Sequence, residues 1–136
     1  MNDFYTYLEE IKFTEEQLED WMRYMDKYYY VDVPSNIYYK NKSSIQGVGL
    51  FARNVIRKNS IVGNACIKDK RTPLGRFVNH SNNPNIAFKK NKKNVIGFAL
   101  RDIKKNEELL VDYRHNHFTF LKRVIIKILK IFGNIF

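Results

Sequence analysis

The chain has a single cysteine, Cys66, among its 136 residues. No disulfide can close within it, and no cysteine cluster can hold zinc. Cys66 therefore reads as a small buried apolar residue, and a reducing compartment, the cytoplasm, is expected. Long apolar runs are missing too. No stretch reaches the roughly 18 uninterrupted apolar residues of a membrane span. Asp3, Glu9 and Glu10 interrupt the first 20 residues, so no secretory signal is expected. Acidic residues are scarce after residue 33: positions 34–136 hold five, against 21 Lys and Arg.

Hydrophobic residues make up 44% of the chain and aromatics 15%, enough for the core of one ordinary domain. The net charge of +10 is uneven. Residues 1–33 carry nine acidic and three basic residues, a balance of −6, and the remainder +16. A molecule so divided presents a basic part that attracts polyanions, namely nucleic acid, anionic lipid or acidic protein. A basic surface serving only solubility is the equal alternative.

Three regions follow from the pattern: 1–33, 34–117 and 118–136. The first reads as helical. Thr14-Glu15-Glu16-Gln17 fits a capping box, and Leu18, Trp21, Met22, Met25, Tyr28 and Tyr29 follow at helical spacing as packing residues. From Ile37 the period shortens. Ile37–Tyr39, Gly49–Ala52, Ser60–Gly63, Ile86–Phe88 and Val95–Ala99 read as short strands between Gly, Asn, Ser and Pro. Val55–Asn59 and Ile103–Asn106 look alike, each an apolar residue, basic residues and an Asn after a strand. Phe118–Phe136 reads as an amphipathic basic helix. Lys122, Arg123, Lys127 and Lys130 lie opposite a wide apolar face, which suits docking on the domain or, alternatively, an interfacial membrane or partner helix.

Three segments carry the functional signal. Gln46-Gly47-Val48-Gly49 permits a turn or a close backbone approach; alone it reads as a plain turn. In Arg76-Phe77-Val78-Asn79-His80-Ser81-Asn82-Asn83-Pro84-Asn85, the run from Asn79 to Asn85 is too polar for a strand and too ordered for a linker, and alone could be a surface cluster of Asx turns. His80 alone would be structural more often than chemical. Glu107-Glu108-Leu109-Leu110-Val111-Asp112-Tyr113 ends on a tyrosine that could be a packed edge residue.

In this order the segments resemble the SET domain of protein-lysine methyltransferases, over roughly residues 37–118. That family shows Gly-x-Gly, then Arg-Phe-x-Asn-His-Ser-x-x-Pro-Asn, then Glu-x-Leu-x-x-Asp-Tyr. The minimal SET proteins of viruses and phages, which lack cysteine-rich flanks, look most similar. The resemblance implies a mainly β fold with flanking helices (α+β): a β-clip of short curved sheets with a C-terminal pseudoknot. It implies S-adenosylmethionine as methyl donor, S-adenosylhomocysteine as product and a lysine-containing protein as substrate. Gly47, Val48 and Gly49 would line the cofactor pocket. Asn79 would hold the cofactor's ammonium end, the His80 backbone its adenine, and Phe118 would stack near the adenine. Tyr113 would stand at the lysine channel, in contact with cofactor and amine. A host cytoplasm or nucleus is implied if the source is viral.

The chain departs from the family pattern in three places. Ser60–Asp69 offers no Tyr-x-Gly motif. The substrate-shaping insert shrinks to about Lys68–Gly75. Asn82 stands where a cysteine is frequent, and no zinc ligands follow. The C-terminal helix is expected to serve as a hydrophobic lid instead. A catalytically degenerate SET module is one alternative function. A basic adaptor for nucleic acid or membrane surfaces, contacting polyanions weakly through that helix, is another.

Overall fold

Thr14 caps the first helix as its sequence predicts. Its hydroxyl accepts from the Gln17 N–H at 3.1 Å, and Gln17 Oε1 accepts from the Thr14 N–H at 2.9 Å. This closes the capping box of α1 (Glu15–Tyr28). Glu15 and Glu16 in the first turn and Lys27 in the last complement the helix dipole. The computed structural model describes residues 3, 6, 9, 10, 12 and 14–116. Met25 of α1 is buried, whereas Tyr28 is exposed. The side chains of Leu18, Trp21 and Met22 lie outside the described set, as does the whole of 118–136.

After α1 come β1 (Tyr38–Lys42), β2 (Val48–Ala52), β3 (Ile61–Ile67), β4 (Lys70–Arg71), α2 (Pro73–Phe77), β5 (Asn79–His80), β6 (Ile86–Asn91), β7 (Asn94–Ala99), β8 (Leu110–Val111) and α3 (Tyr113–Asn116). They form a two-stranded sheet, β1-β2, and a six-stranded sheet in the order β4-β3-β7-β6-β8-β5. This is the mainly β architecture with flanking helices that the resemblance implied. Among the described residues no helix is long and apolar enough to cross a membrane.

Strand ends differ from expectation for physical reasons. The pattern predicts a strand end at Gly63, but β3 runs on to Ile67. Its pairing with β7 shifts register at Ile61/Gly63 and Asn64/Cys66, and Gly63 has φ +155. The glycine marks a bulge inside the strand. β1 and β6 also outrun their apolar stretches. Lys40, Lys42, Lys89 and Lys90 continue them as exposed positions.

Leu50, Leu74, Ile86, Ile103, Leu109 and Val111 are fully buried at the centre of one core. The two similar turns meet there. Ile56 and Ile103 exchange backbone hydrogen bonds at 2.9 and 2.7 Å, and Asn59 and Asn106 each adopt a left-handed conformation, φ 70 and 67. Their likeness is that of facing partners.

The C-terminal segment of the fold is threaded. On one side the Ala52 N–H donates to Glu107 O at 2.9 Å, and the Leu109 N–H to Leu50 O at 2.8 Å. On the other, β8 pairs in parallel with β5, and the Ser81 N–H donates to Val111 O at 3.1 Å. Residues 107–111 thus pass between β2 and the Asn79–Asn85 segment, the pseudoknot that the resemblance implied. Asn85, wholly buried, clamps it. Its amide donates to Glu108 O at 2.8 Å and accepts from the Leu110 N–H at 2.7 Å.

Replacing Asn85 with Ala leaves that buried carbonyl and N–H without partners. The expected loss is about 2–4 kcal/mol of unfolding free energy. Urea titration of Asn85→Ala checks it; a midpoint within error of wild type would remove Asn85 from this role.

Candidate active site

Glu108 is the junction at which the three motifs meet. Its carboxylate accepts from the Ser43 hydroxyl, with both oxygens at 2.9 Å, and from Asn79 Nδ2 at 2.9 Å. The same Asn79 amide donates to Gln46 O at 3.1 Å. The sequence reading quoted Glu108 within its motif but assigned it no role. The available signal was a carboxylate between core-directed residues, which needs donors when it is half-buried.

The two glycines of the first motif answer different needs. Gly47 has φ +46 with open space around it, so its backbone demands glycine. Gly49 is buried, and a Cβ there would stand 2.4 Å from Glu108 Oε2 and 3.1 Å from Asn79 Nδ2. Its missing side chain makes room for the junction.

Beside the junction lies a cavity of about 400 Å³. Gln46, Gly47, Val48, Arg76, Phe77, Asn79 and Tyr113 line it, and α1 supplies the remaining wall through Glu15, Glu19, Arg23 and Asp26. Of the residues the sequence singled out, Gly47, Val48, Asn79 and Tyr113 face one space. Gly49 and His80 stand behind them rather than in the lining. Phe118 and the expected helical lid lie outside the described residues. The sequence allows an acidic N-terminal helix at the groove only as a condition for admitting a basic substrate, and no residue of α1 carries a local mark of a site; the structure puts Glu15, Glu19, Arg23 and Asp26 in the lining.

Asp26 anchors that wall to the domain. Its carboxylate accepts from Arg76 Nε at 2.7 Å and from Arg71 Nη2 at 3.3 Å. Arg71 is buried, and burial followed by the neighbouring Arg76 charge lowers its pKa to about 10. It stays protonated at neutral pH. Further along, Asp3 accepts from the Asn82 N–H at 2.7 Å, and Glu10 pairs with Arg114 at 3.6 Å.

Tyr113 is held at both ends. Its hydroxyl donates to Val78 O at 2.5 Å, and its N–H donates to His80 Nδ1 at 3.1 Å. His80 is 1% exposed. Burial lowers its pKa, against the opposing pull of Asp112. The imidazole is thus neutral at pH 7, with Nδ1 an acceptor and the proton on Nε2. In this position His80 orients the tyrosine.

The SET domain family model matches residues 4–114. The chain belongs to the SET domain family. Among curated relatives, the histone-lysine N-methyltransferases described as H3 lysine-4 specific from Debaryomyces hansenii and Aspergillus oryzae are 43% and 45% identical to it, each over 49 residues. Each alignment covers 33% of this chain and 4% of the relative, so the chain spans a small fraction of their length. A structure of Chaetomium thermophilum Polycomb Repressive Complex 2, a humanized mutant with the inhibitor GSK126, matches with TM-score 0.50 and 21% identity, covering 61% of this chain and 15% of that one. A ctPRC2 structure in an autoinhibited conformation, bound to S-adenosylmethionine, matches with TM-score 0.52 and 20% identity, covering 69% and 17%. At these identities the structural matches establish the fold.

The lowered pKa of His80 sets a pH dependence of SET-fold stability. The unfolded chain takes up the histidine proton near pH 6.5 and the folded chain only at lower pH. Stability is therefore full above about pH 6.5 and declines as pH falls below it. Glu107 adds a separate, lower window. Its pKa is brought to about 2, chiefly by the Arg101 hydrogen bond, so its contribution is present above about pH 4.3 and is lost as pH falls towards 2. Urea midpoints at pH 7.5, 6.0 and 5.0 should fall for wild type and stay flatter for His80→Gln. Parallel declines in the two proteins would contradict the assignment.

Proposed function

We propose that this chain is an S-adenosylmethionine-dependent protein-lysine methyltransferase, with the cavity beside Glu108 as its active site. The observation that carries the reading is the convergence of Gly47, Val48, Asn79 and Tyr113, from three distant motifs, on one cavity. Its volume lies within the roughly 300–1,000 Å³ range of small-molecule sites.

The lining fits such a ligand. The Asn79 amide spends its donors on Gln46 and Glu108, which leaves its carbonyl to accept from an ammonium. Arg23 and Arg76 suit a carboxylate, and the Phe77 and Tyr113 ring faces suit a sulfonium. Gly47 presents bare backbone. When bound, the cofactor supplies a methyl group on a positive sulfur, open to in-line displacement by an amine.

The chain's own residues do the rest. The Tyr113 hydroxyl donates its hydrogen bond to Val78 O, so its oxygen acts as the acceptor that orients the lysine amine. Such positioning is worth as much as ~7–11 kcal/mol of barrier. Enclosure lowers the pKa of the incoming lysine, so the amine reacts neutral without a dedicated base. Glu15 and Glu19 are exposed and draw a cationic segment toward a domain that is otherwise strongly basic. The printed names of the curated relatives make histone H3 the first substrate to assay.

Calorimetry should show S-adenosylmethionine binding to wild type. Asn79→Ala should weaken it about 10–100-fold, the loss of a ~1.5–3 kcal/mol charged hydrogen bond. No cofactor binding by wild type would overturn the reading.

Tyr113→Phe should keep cofactor affinity within a few-fold. Its turnover should fall about 10–100-fold, because the hydroxyl acts mainly in the transition state. Labelled-methyl transfer onto histone H3 and other lysine-bearing proteins measures both variants; undiminished transfer by Tyr113→Phe removes this residue from the chemistry.

A further inference from the structure

Two hairpin turns at one end of the six-stranded sheet are built from lysine. The β3–β4 turn closes on the Ile67–Lys70 pair, with Lys68 and Asp69 between. The β6–β7 turn closes on Asn91–Asn94, with Lys92 and Lys93 between. β3 and β7 are neighbours, and the Lys68 N–H donates to Asn94 Oδ1 at 3.0 Å, tying the turns together. Lys68, Lys70, Lys89, Lys90, Lys92 and Lys93 are all exposed there, with Asp69 the acidic residue among them. Among the described residues none of these six lysines is in an ion pair. A shallow depression of about 430 Å³, lined by Lys68 and Asn91 through Asn94, runs between the turns.

The backbone adds a second, independent sign. Lys68 and Lys92 each take the first position of a two-residue hairpin loop with positive φ, 55 and 57. Gly, Asn or Asp is favoured at such positions. Lysine in both is a local cost borne at the two apexes of one charged surface, and a rule broken twice in one place marks function.

We propose that this lysine tip is a docking surface for the phosphate backbone of duplex nucleic acid. Three features select that partner. The lysines are point charges, and among the described residues none of them pairs with a carboxylate, the neighbouring Asp69 included, so they are placed to neutralise phosphates. Among the described residues the tip has no exposed apolar residue to insert into lipid and add to electrostatic attraction, the combination by which membrane-docking elements anchor firmly. Among the described residues it has no exposed aromatic ring on which an unpaired base could stack. The binding is sequence-independent, since it reads charge and not base edges. No residue of the two turns lines the cavity beside Glu108, so a docked duplex leaves that cavity open to a protein carried on the same nucleic acid. The surface does not depend on the methyltransferase reading.

The test is fluorescence anisotropy of a labelled 20-base-pair DNA duplex with the full chain, across a salt series. Wild type should bind with a dissociation constant of roughly 10⁻⁴–10⁻⁶ M near physiological salt. Changing Lys89, Lys90, Lys92 and Lys93 together to Gln should weaken binding more than ten-fold and shallow the log–log salt slope by about 3–4. The same four changed to Arg should retain both. A control that removes equal charge elsewhere, Lys42, Lys58, Lys104 and Lys105 to Gln, should lose far less. Lys92→Gly, which relieves the left-handed position while removing one charge, should be at least as stable as wild type and lower the slope by about one. Equal losses in the control and tip variants would overturn the proposal. So would binding to vesicles of anionic phospholipid with none to the duplex.

Discussion

The passage of residues 107–112 between β2 and the Asn79–Asn85 segment is the constraint on which the molecule depends. A chain inserted there must satisfy backbone groups on both edges, and it does so by antiparallel bonds to one neighbour and parallel bonds to the other. Glu108, within the threaded segment, then has neighbours from both. Its carboxylate reaches Ser43 ahead of the first motif and Asn79 in the second. The distance in sequence between the motifs is thereby cancelled. Asn85 and His80 do the same for the segment's end, one fixing Leu110 and the other Tyr113. A buried polar network of this kind is useful only when fully satisfied, which explains why so many side chains in the region are amides, carboxylates or imidazole.

The charge asymmetry acquires a spatial meaning from the fold. The acidic first region sends α1 over the cavity, where Asp26 meets Arg71 and Arg76, and Asp3 and Glu10 meet Asn82 and Arg114. Its negative charge is thus spent partly on docking to a basic domain and partly on the cavity mouth. The lysine tip belongs to the opposite regime. It lies at strand ends where, among the described residues, none of its lysines is in an ion pair, which is what suits it to the proposed outside anion. One chain carries two electrostatic surfaces suited to opposite ligands.

Much of this was legible beforehand, and the exceptions have physical causes. The motif residues Gly47, Val48, Asn79 and Tyr113 were placed together by resemblance, because their spacing marks a threaded site that no periodicity could. The capping box of α1 and most strands followed from local pattern. β4, β5 and β8 did not: each is two residues long and exists through its partner, so no apolar alternation announces it. α2 escaped notice although Thr72 caps it and Pro73 opens it, since five residues show too little of a helical period. Gly63 misled because a glycine that ends a strand and one that bulges it look identical in sequence. The His80 side chain is the acceptor that fixes Tyr113, a role set by their meeting in the fold, which the motif does not announce.

That the α1 wall stands outside the β framework has a consequence for how the cavity is built. The motif residues are held by sheet pairing and by Glu108. The wall opposite them is held by the buried Met25, by backbone bonds just past α1, where the Arg71 N–H donates to Tyr29 O at 2.9 Å and the Val31 N–H to Arg71 O at 2.8 Å, and by the Asp26 carboxylate against two arginines, with Gln46 Nε2 donating to Glu15 at 3.4 Å as a weak further tie. Arg71 is the more deeply buried of the two, so its charge is costly without Asp26. The pairing therefore favours the docked helix through the penalty of undocking as much as through attraction. Anything bound between the sheet-held and the docked wall would add to that preference by mass action, joining occupancy of the cavity to closure of the acidic helix upon it.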